Sequence, residues 1–437
     1  MARNRAVKAT LLVAILLGLL LVSVPVLRCE PGSKSSEFDE LKLLRRVMGL
    51  VHNNYVKEVT DKDLVHGAIN GMLQALDPHS TFLTEDMFKE LQVETRGEFG
   101  GLGIEITLDG GVLTIVSPIE DTPAYRAGLK AGDKIIKING EATKNITLLK
   151  AVKLMRGPQG TKVTITIMRE GFKKFKDFTL TRAVIHVHSV KKQVIEPGYP
   201  YIRIVNFQES TDSDLTSAIK EMGGDEKIKG AILDLRNNPG GLLDQAVKVS
   251  NLFVDKGLLI VYTDGRAKDQ KMEFRATNTG KHYKFKVAVL INEGSASASE
   301  IVAGALQDHD RGLIFGVKSF GKASVQTIIP MENGTGLRLT TAYYYTPYGR
   351  HIQKTGIVPD VEVKDDLEKK REEGQEDDSK IKDKNQQKKP QFPRPVVDLE
   401  KDKVLQKALE WLKGDVTVKQ FKDEQKKKVL PNTARNG

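Results

Sequence analysis

The chain has one cysteine, Cys29. No intrachain disulfide can form, so an apolar core must hold the fold. Lipid attachment at Cys29 is disfavoured, because Arg28 stands where such sites need a small residue. The eight histidines show no metal-ligand spacing, and their one close pair, His186-x-His188, reads as a strand with one polar face. No zinc-finger or other nucleic-acid motif is present. The net charge of +11 is spread along the chain and implies no nucleic-acid partner, only weak attraction to anionic lipid. No metal and no organic cofactor is called for.

What is present begins with a leader. Arg3, Arg5 and Lys8 precede nineteen uncharged residues, Ala9 to Leu27. That charge order marks residues 1–28 as a signal peptide or membrane anchor, and at about 1.5 Å per residue the run just spans a bilayer. With no clear small-x-small cleavage site, an uncleaved anchor is favoured. The expectation is an exported protein, periplasmic or extracytoplasmic, tethered to the inner membrane.

The most informative stretch runs from Lys286 to Gln326. Val287 to Ile291 is a β-branched apolar run that reads as a buried strand. Asn292-Glu293-Gly294 breaks it, and Ser295-Ala-Ser-Ala-Ser-Glu300 leads into Ile301, Val302, Ala305 and Leu306 at helical spacing. A serine at such a corner lies beside a positive helix end. Lys322 and Gln326 follow, four apart, in a turn or strand. Serine and lysine without an obligatory histidine are the parts of a Ser-Lys nucleophilic site. Two plainer readings stand beside it. Ser297 with Glu300 is a Ser-x-x-Glu capping box, and Lys322 alone is an ordinary solvated lysine.

These residues resemble the carboxyl-terminal processing proteases, also called tail-specific proteases: Asn292 to Ile301, Ala305-Leu-Gln-Asp308 and Gly321-Lys-x-x-x-Gln326. The likeness extends from about Phe38 to Val363, with a weaker echo near Trp411. It implies Ser297 as nucleophile, Lys322, twenty-five residues on, as general base, and Gln326 as the residue that orients the lysine.

The fold class expected is multidomain α+β. Residues 36–92 read as an N-terminal helical segment, with Leu41, Leu44, Val47, Val51 and Tyr55 on one stripe and Leu64, Ala68, Met72 and Leu76 on another. Pro78 ends the second run, and His79 after it reads as structural capping rather than a base. Residues 97–182 resemble a PDZ domain. There Gly101, Leu102, Gly103 and Ile104 offer backbone N–H groups to a terminal carboxylate and a strand edge to a peptide. The resemblance adds Arg156 as a candidate link from bound peptide to protease.

Residues 184–363 alternate strand and helix as βαβ units and read as an α/β core of the ClpP/crotonase kind. In Asp234-Leu-Arg-Asn-Asn-Pro-Gly-Gly241 the amide of Gly240 or Gly241, with that of Ala298, can form an oxyanion hole. Asp234 and Arg236 read as an ion pair supporting that loop. Residues 364–395 form a charged linker: Lys364 to Lys389 holds nine basic and nine acidic residues and has almost nothing to bury. Residues 396–437 give one amphipathic helix, expected to pack on the N-terminal helices within or between subunits, and a basic tail.

The reading is an exported serine endopeptidase acting on proteins or peptides with free apolar C-termini. A homodimer through the N- and C-terminal helices and an adaptor protein are further partners open to it. The competing classes are a catalytically silent PDZ scaffold, which has no use for Ser297, Lys322 and Gln326 together, and a crotonase-like thioester enzyme, which explains neither the leader nor the PDZ-like unit.

Overall fold

A computed structural model describes residues 34–119, 121–277, 280–364 and 397–429. The leader and the charged linker therefore lie outside the described residues. Among the described residues no helix is long and apolar enough to cross a membrane. The chain divides into two compact units after Ala75. The first holds helices α1 (Lys34–Asn54) and α2 (Asp61–Gln74), the latter started by Thr60, whose hydroxyl accepts from the Asp63 amide at 3.1 Å.

The second unit opens with an Asx turn. Asp77 Oδ1 accepts from the amides of His79 (2.7 Å) and Ser80 (2.9 Å), so the capping expected of His79 is supplied by Asp77 instead. Strand β1 (Thr81–Leu83), helix α3 (Glu85–Arg96) and strand β2 (Glu98–Gly101) follow, and Gly97 ends α3 at φ 71°.

Next comes a β module: β3 (Ile104–Asp109), β4 (Val112–Pro118), β5 (Lys134–Ile138), β6 (Glu141–Ala142), helix α4 (Leu148–Met155), β7 (Lys162–Met168) and β8 (Lys176–Thr181). Its order is β3-β4-β5-β7-β8, with β6 beside β5, so β3 is an edge strand open to another chain. Alternating buried residues such as Val163, Ile165 and Ile167 on β7 fill its own apolar cluster. Strand β9 (Ala183–His186) pairs back with β2 and closes the module.

The third part is built on β10 (Val190–Glu196), β11 (Tyr199–Ile204), β12 (Gly230–Asp234), β15 (Lys286–Ile291), β16 (Gly312–Gly316) and β19 (Val361–Glu362), in that order and parallel from β11 onward. The central strands are buried nearly end to end, which is why they read as unbroken apolar runs. Helices α5 (Thr211–Glu221), α6 (Leu243–Asn251) and α7 (Ala298–Asp308) supply the connections. A second sheet of β1, β13 (Leu259–Gly265), β14 (Met272–Arg275), β17 (Ser324–Pro330) and β18 (Gly336–Tyr345) joins them. Along β18 the tyrosine run alternates, with Tyr343 exposed and Tyr344 buried, as a strand requires.

The C-terminal helix corrects one expectation. Helix α8 (Lys403–Lys413) was expected to pack on the N-terminal helices. Instead Val404, Leu405, Ala408, Leu409 and Leu412 are buried with Tyr201, Ile232, Leu290 and Phe315 of the parallel sheet. The sheet offers a flat apolar face, and each buried leucine there contributes roughly 1.5–3 kcal/mol. Asp402 caps the helix by accepting from the Leu405 amide at 2.9 Å, and its carboxylate also takes two hydrogen bonds from Arg236, at 3.1 and 2.7 Å. Arg236 in turn forks onto buried Asp234, to which the Tyr201 hydroxyl donates at 2.6 Å.

Losing Asp402 takes two hydrogen bonds from the Arg236 guanidinium, which Asp234 still pairs, and leaves a helix uncapped. Asp402→Ala is therefore expected to lower the unfolding free energy by about 2–4 kcal/mol, read as a shift in urea midpoint. A change below about 0.5 kcal/mol, the ordinary surface value, contradicts this reading of the brace.

Candidate active site

A cleft of about 450 Å³ lies between the two sheets' connections, and Ser297, Lys322, Gln326, Gly240, Gly241 and Ala298 all border it. The structure thus brings together every residue singled out for chemistry in the protease core. Ser297 stands at the first turn of α7 with φ 55° and ψ −115°, a conformation costing a non-glycine residue about 1–3 kcal/mol. Its hydroxyl makes no capping bond to the helix. The neighbouring serines are occupied. Ser295 Oγ donates to the Leu235 carbonyl at 2.8 Å, Ser299 Oγ donates to that of Asn238 at 3.0 Å, and Ser324 Oγ accepts from Gln326 at 2.8 Å.

The capping box is half present and does more than cap. Glu300, fully buried, accepts from the Ser297 amide at 2.9 Å. The same carboxylate accepts from the amides of Gly321 (2.7 Å) and Lys322 (2.9 Å) and from the Ser319 hydroxyl. One buried anion therefore fixes the main chain of both the serine and the lysine. Burial raises its carboxyl above the usual range, and the four donors work against that rise. Sequence reasoning missed this role: Ser-x-x-Glu showed the capping, while the second half depends on a loop twenty residues away folding onto it.

Tyr344 completes the clamp. Its buried hydroxyl is shared between the main-chain carbonyls of Ser297, at 3.1 Å, and of Lys322. Gly321 has φ 89°, and a Cβ there would lie 2.8 Å from the Gly356 amide nitrogen, so the loop carrying Lys322 needs glycine.

Lys322 is half-buried, and its ammonium is pushed down from the ordinary lysine range by burial first and then by Arg338. Asp77 and Glu300 offset part of this. Among the described residues its amine makes no hydrogen bond to Ser297 Oγ or to Gln326. The Gln326 side-chain nitrogen donates to Ser324 Oγ (2.8 Å) and Ser324 O (3.3 Å), which turns the amide oxygen the other way. His79 and His309 have structural partners: the His79 carbonyl accepts from Arg338 Nε at 3.2 Å, and His309 Nε2 contacts the Leu259 carbonyl at 2.6 Å.

Of the two oxyanion candidates among the glycines, Gly240 has its N–H engaged by Asn238 Oδ1 at 2.9 Å. Among the described residues the N–H groups of Gly241 and Ala298 have no acceptor. Gly240 instead allows close approach, since a Cβ on it would lie 2.8 Å from Ser297 Cβ. Asp234 and Arg236, at the end of β12, brace this loop from behind and do not line the cleft. Aspartate raises the Arg236 guanidinium against the effect of burial, and burial with Asp234 holds the Tyr201 phenol protonated.

Comparison with known proteins decides the family. The description of peptidase family S41 matches residues 198–363, that of a PDZ domain residues 114–169, and that of the activating protease CtpB N-terminal domain residues 25–87. The carboxy-terminal-processing protease of Bartonella bacilliformis is 48% identical over 342 residues, covering 78% of each chain. The chain belongs to the carboxy-terminal processing proteases. The Bacillus subtilis member, carboxy-terminal processing protease CtpA, is 37% identical over 76% of this chain and 71% of its own. A solved photosystem II D1 C-terminal processing protease is 30% identical with a TM-score of 0.43, over 76% of this chain and 94% of that one. The protein is accordingly a serine-type peptidase carrying a PDZ domain.

In the PDZ domain of this processing protease, Leu102, Gly103, Ile104, Ile106, Val152 and Met155 line a narrow groove between the β3 edge and α4. The Leu102 and Gly103 carbonyls accept from the amides of Ala124 (3.0 Å) and Ile119 (2.9 Å). Among the described residues their own N–H groups have no acceptor. Gly101 is instead paired into β2 against Ala183. Arg156, at the groove's end, lies 4.5 Å over the Phe99 ring, and its Nη1 donates to both carboxylate oxygens of Glu90 on α3, at 2.7 and 2.6 Å. Leu91, Glu94 and Thr95 of that helix border the active-site cleft.

The Glu300 clamp has a direct test. Glu300→Gln keeps the shape but replaces a four-bond anionic acceptor with one oxygen and a donor, so kcat is expected to fall about 100-fold or more, each charge-assisted bond being about 1.5–3 kcal/mol. Serine-reactive fluorophosphonate labelling should slow in parallel. Unchanged labelling would falsify the clamp.

Proposed function

We propose that this processing protease works through a Ser297-Lys322 dyad. Neutral Lys322 takes the proton as Ser297 Oγ attacks the scissile carbonyl, an acyl-enzyme forms, and water resolves it. The developing oxyanion is held by the Ala298 and Gly241 amides, the two uncommitted donors beside the serine. Gln326 turns its amide oxygen toward the lysine amine once the two side chains close up, since catalytic hydrogen bonds are often long before substrate binds. The observation that carries this reading is the single Glu300 carboxylate holding the main chain of both dyad members at one cleft.

The PDZ domain reads the substrate's end. A free carboxylate fits the uncommitted Leu102 and Gly103 amides, the following residues add to the β3 edge, and apolar side chains enter the groove beside Val152 and Met155. Arg156 and its Glu90 partner link that groove to the helix bordering the cleft. Export and tethering by residues 1–28 complete the proposal and rest on the leader, and a homodimer rests on the N-terminal helix, where Leu41, Leu44 and Val47 are exposed.

Two experiments test it. Ser297→Ala should abolish proteolysis, while Ser295→Ala, Ser299→Ala and Ser324→Ala keep a measurable rate. Lys322→Arg should be inactive, because a guanidinium stays protonated. In the wild-type chain activity should rise with pH through the lowered Lys322 value, since the base works only when neutral. Near-normal turnover of Lys322→Arg ends the dyad.

Recognition is tested separately. A substrate with a long apolar tail and free carboxylate should be cut several-fold faster than its C-terminally amidated twin. Equal rates remove the PDZ role and leave the dyad standing.

A further inference from the structure

Arg338 acts on the proposed dyad only through its charge on Lys322, which leaves guanidinium hydrogen-bonding capacity unused. It sits on β18 between Thr81 of β1 and Ile328 of β17, and it lines the same cleft as Ser297 and Lys322. Its Nε donates to the His79 carbonyl at 3.2 Å, and among the described residues its two terminal nitrogens have no hydrogen-bond partner. Among the described residues no carboxylate pairs with it.

The nearby anions are committed elsewhere. Asp77 accepts from His79 N, Ser80 N, Ser80 Oγ and Thr340 Oγ1, and Glu300 from the four donors already described. Glu94 is exposed on α3 at the cleft's edge. One wall of the cleft is therefore positive. Arg338 pushes down both the Lys322 amine and, after burial and Lys322 itself, the His79 imidazole. Arg338 stays charged whether or not Lys322 has lost its proton, so a cation without a carboxylate partner among the described residues lines the cleft, and the substrates of a carboxy-terminal processing protease carry an anion at their end.

We propose that Arg338 is a carboxylate clamp of the active-site cleft, binding the α-carboxylate of a tail that ends within a few residues of the scissile bond. The guanidinium fork matches a carboxylate in two parallel bonds. Leu91, Leu242, Ile301, Val325 and Ile328 along the same cleft take the tail's apolar side chains. The clamp rests on Ser297 being the nucleophile, and it is separate from the PDZ groove. A chain end held in that groove needs a spacer to reach the cleft, whereas the clamp reads an end close to the cut. Arg338 thereby selects for removal of short tails.

The test uses the full chain and matched peptides. One series is cut about three residues from the end, roughly 10 Å of extended chain, and the other far from it. Each is made as free acid and as amide, and the short-tail amide also with a terminal glutamate. For the short tail the wild-type acid should exceed the amide by about tenfold in kcat/KM, the scale of one charge-assisted pair. In Arg338→Gln that ratio should collapse toward one, and Arg338→Lys should fall between, since an ammonium lacks the fork. The long-tail ratio should not change. Restoration of the wild-type rate by glutamate in the amide assigns the effect to any carboxylate, and lack of restoration narrows it to the chain end; both support the clamp. An unaltered short-tail ratio in Arg338→Gln overturns it, as does an equal drop in both series. Loss of all cleavage together with fluorophosphonate labelling of Ser297 assigns Arg338 to assembling the nucleophile and also overturns it. Failure of the dyad itself appears elsewhere, as activity surviving in Ser297→Ala.

Discussion

A carboxylate with no exposed surface has to be satisfied on every side, and in this protease Glu300 is satisfied by the Ser319 hydroxyl and by main-chain amides on both members of the proposed dyad. Moving such an anion from water costs several kcal/mol. Hydrogen bonds to a charged acceptor contribute roughly 1.5–3 kcal/mol each, so four donors are on the scale needed to offset it. Three of the four are main-chain amides, at Ser297, Gly321 and Lys322, so the anion fixes positions without depending on rotamers. It also raises the Lys322 amine, which works against a neutral base. Burial and the Arg338 charge work the other way, and the net direction is downward. The arrangement keeps the anion bonded to the lysine's backbone and away from its amine.

Two braces tie this centre to the rest of the molecule, and they differ in firmness. Behind the oxyanion loop, Asp234, Arg236 and Asp402 are largely buried, and the C-terminal helix is capped by the same aspartate that pairs with Arg236. Toward the PDZ domain, Lys153 pairs with Asp86 and Arg156 with Glu90, with much of each acid in water. Exposed pairs contribute about 0–1 kcal/mol, so this second connection is easily broken and remade. The protease core is thus tied by buried pairs behind the Gly240-Gly241 loop and by exposed ones at α3, the helix between peptide groove and cleft.

Much of this was legible in the sequence because it is local or periodic. The buried strand, the small-residue turn, the helix after Ser297 and the Gly-rich loops each have a signature within about ten consecutive residues. The motif spacing between Ser297 and Gln326 carries the family. What was not legible depends on non-local contact. The seat of helix α8 was misassigned because an amphipathic stripe states that a face is buried, not against what; here Tyr201, Ile232 and Phe315 supply the answer. Glu300 and Tyr344 join segments that only the tertiary fold brings together. Gly240 and Gly241 are adjacent and chemically alike, and only the Asn238 side chain, engaging one of the two N–H groups, distinguishes them.

The positions of the histidines favour the lysine base of the proposed dyad. His309 is spent on the Leu259 carbonyl and the Tyr348 ring, and His79 sits in a turn whose carbonyl anchors Arg338. A histidine base also needs an acid behind it to hold its tautomer, whereas Asp77, the acid nearest His79, is saturated by its own turn and by Thr340. Lysine requires no third member to select a tautomer. It requires a dry setting, nearby positive charge and a fixed backbone, and burial, Arg338 and Glu300 provide these in turn. In the proposed dyad the cost is a base whose neutral form depends on its surroundings, so whatever enters the cleft as charge, including a substrate carboxylate, also acts on Lys322.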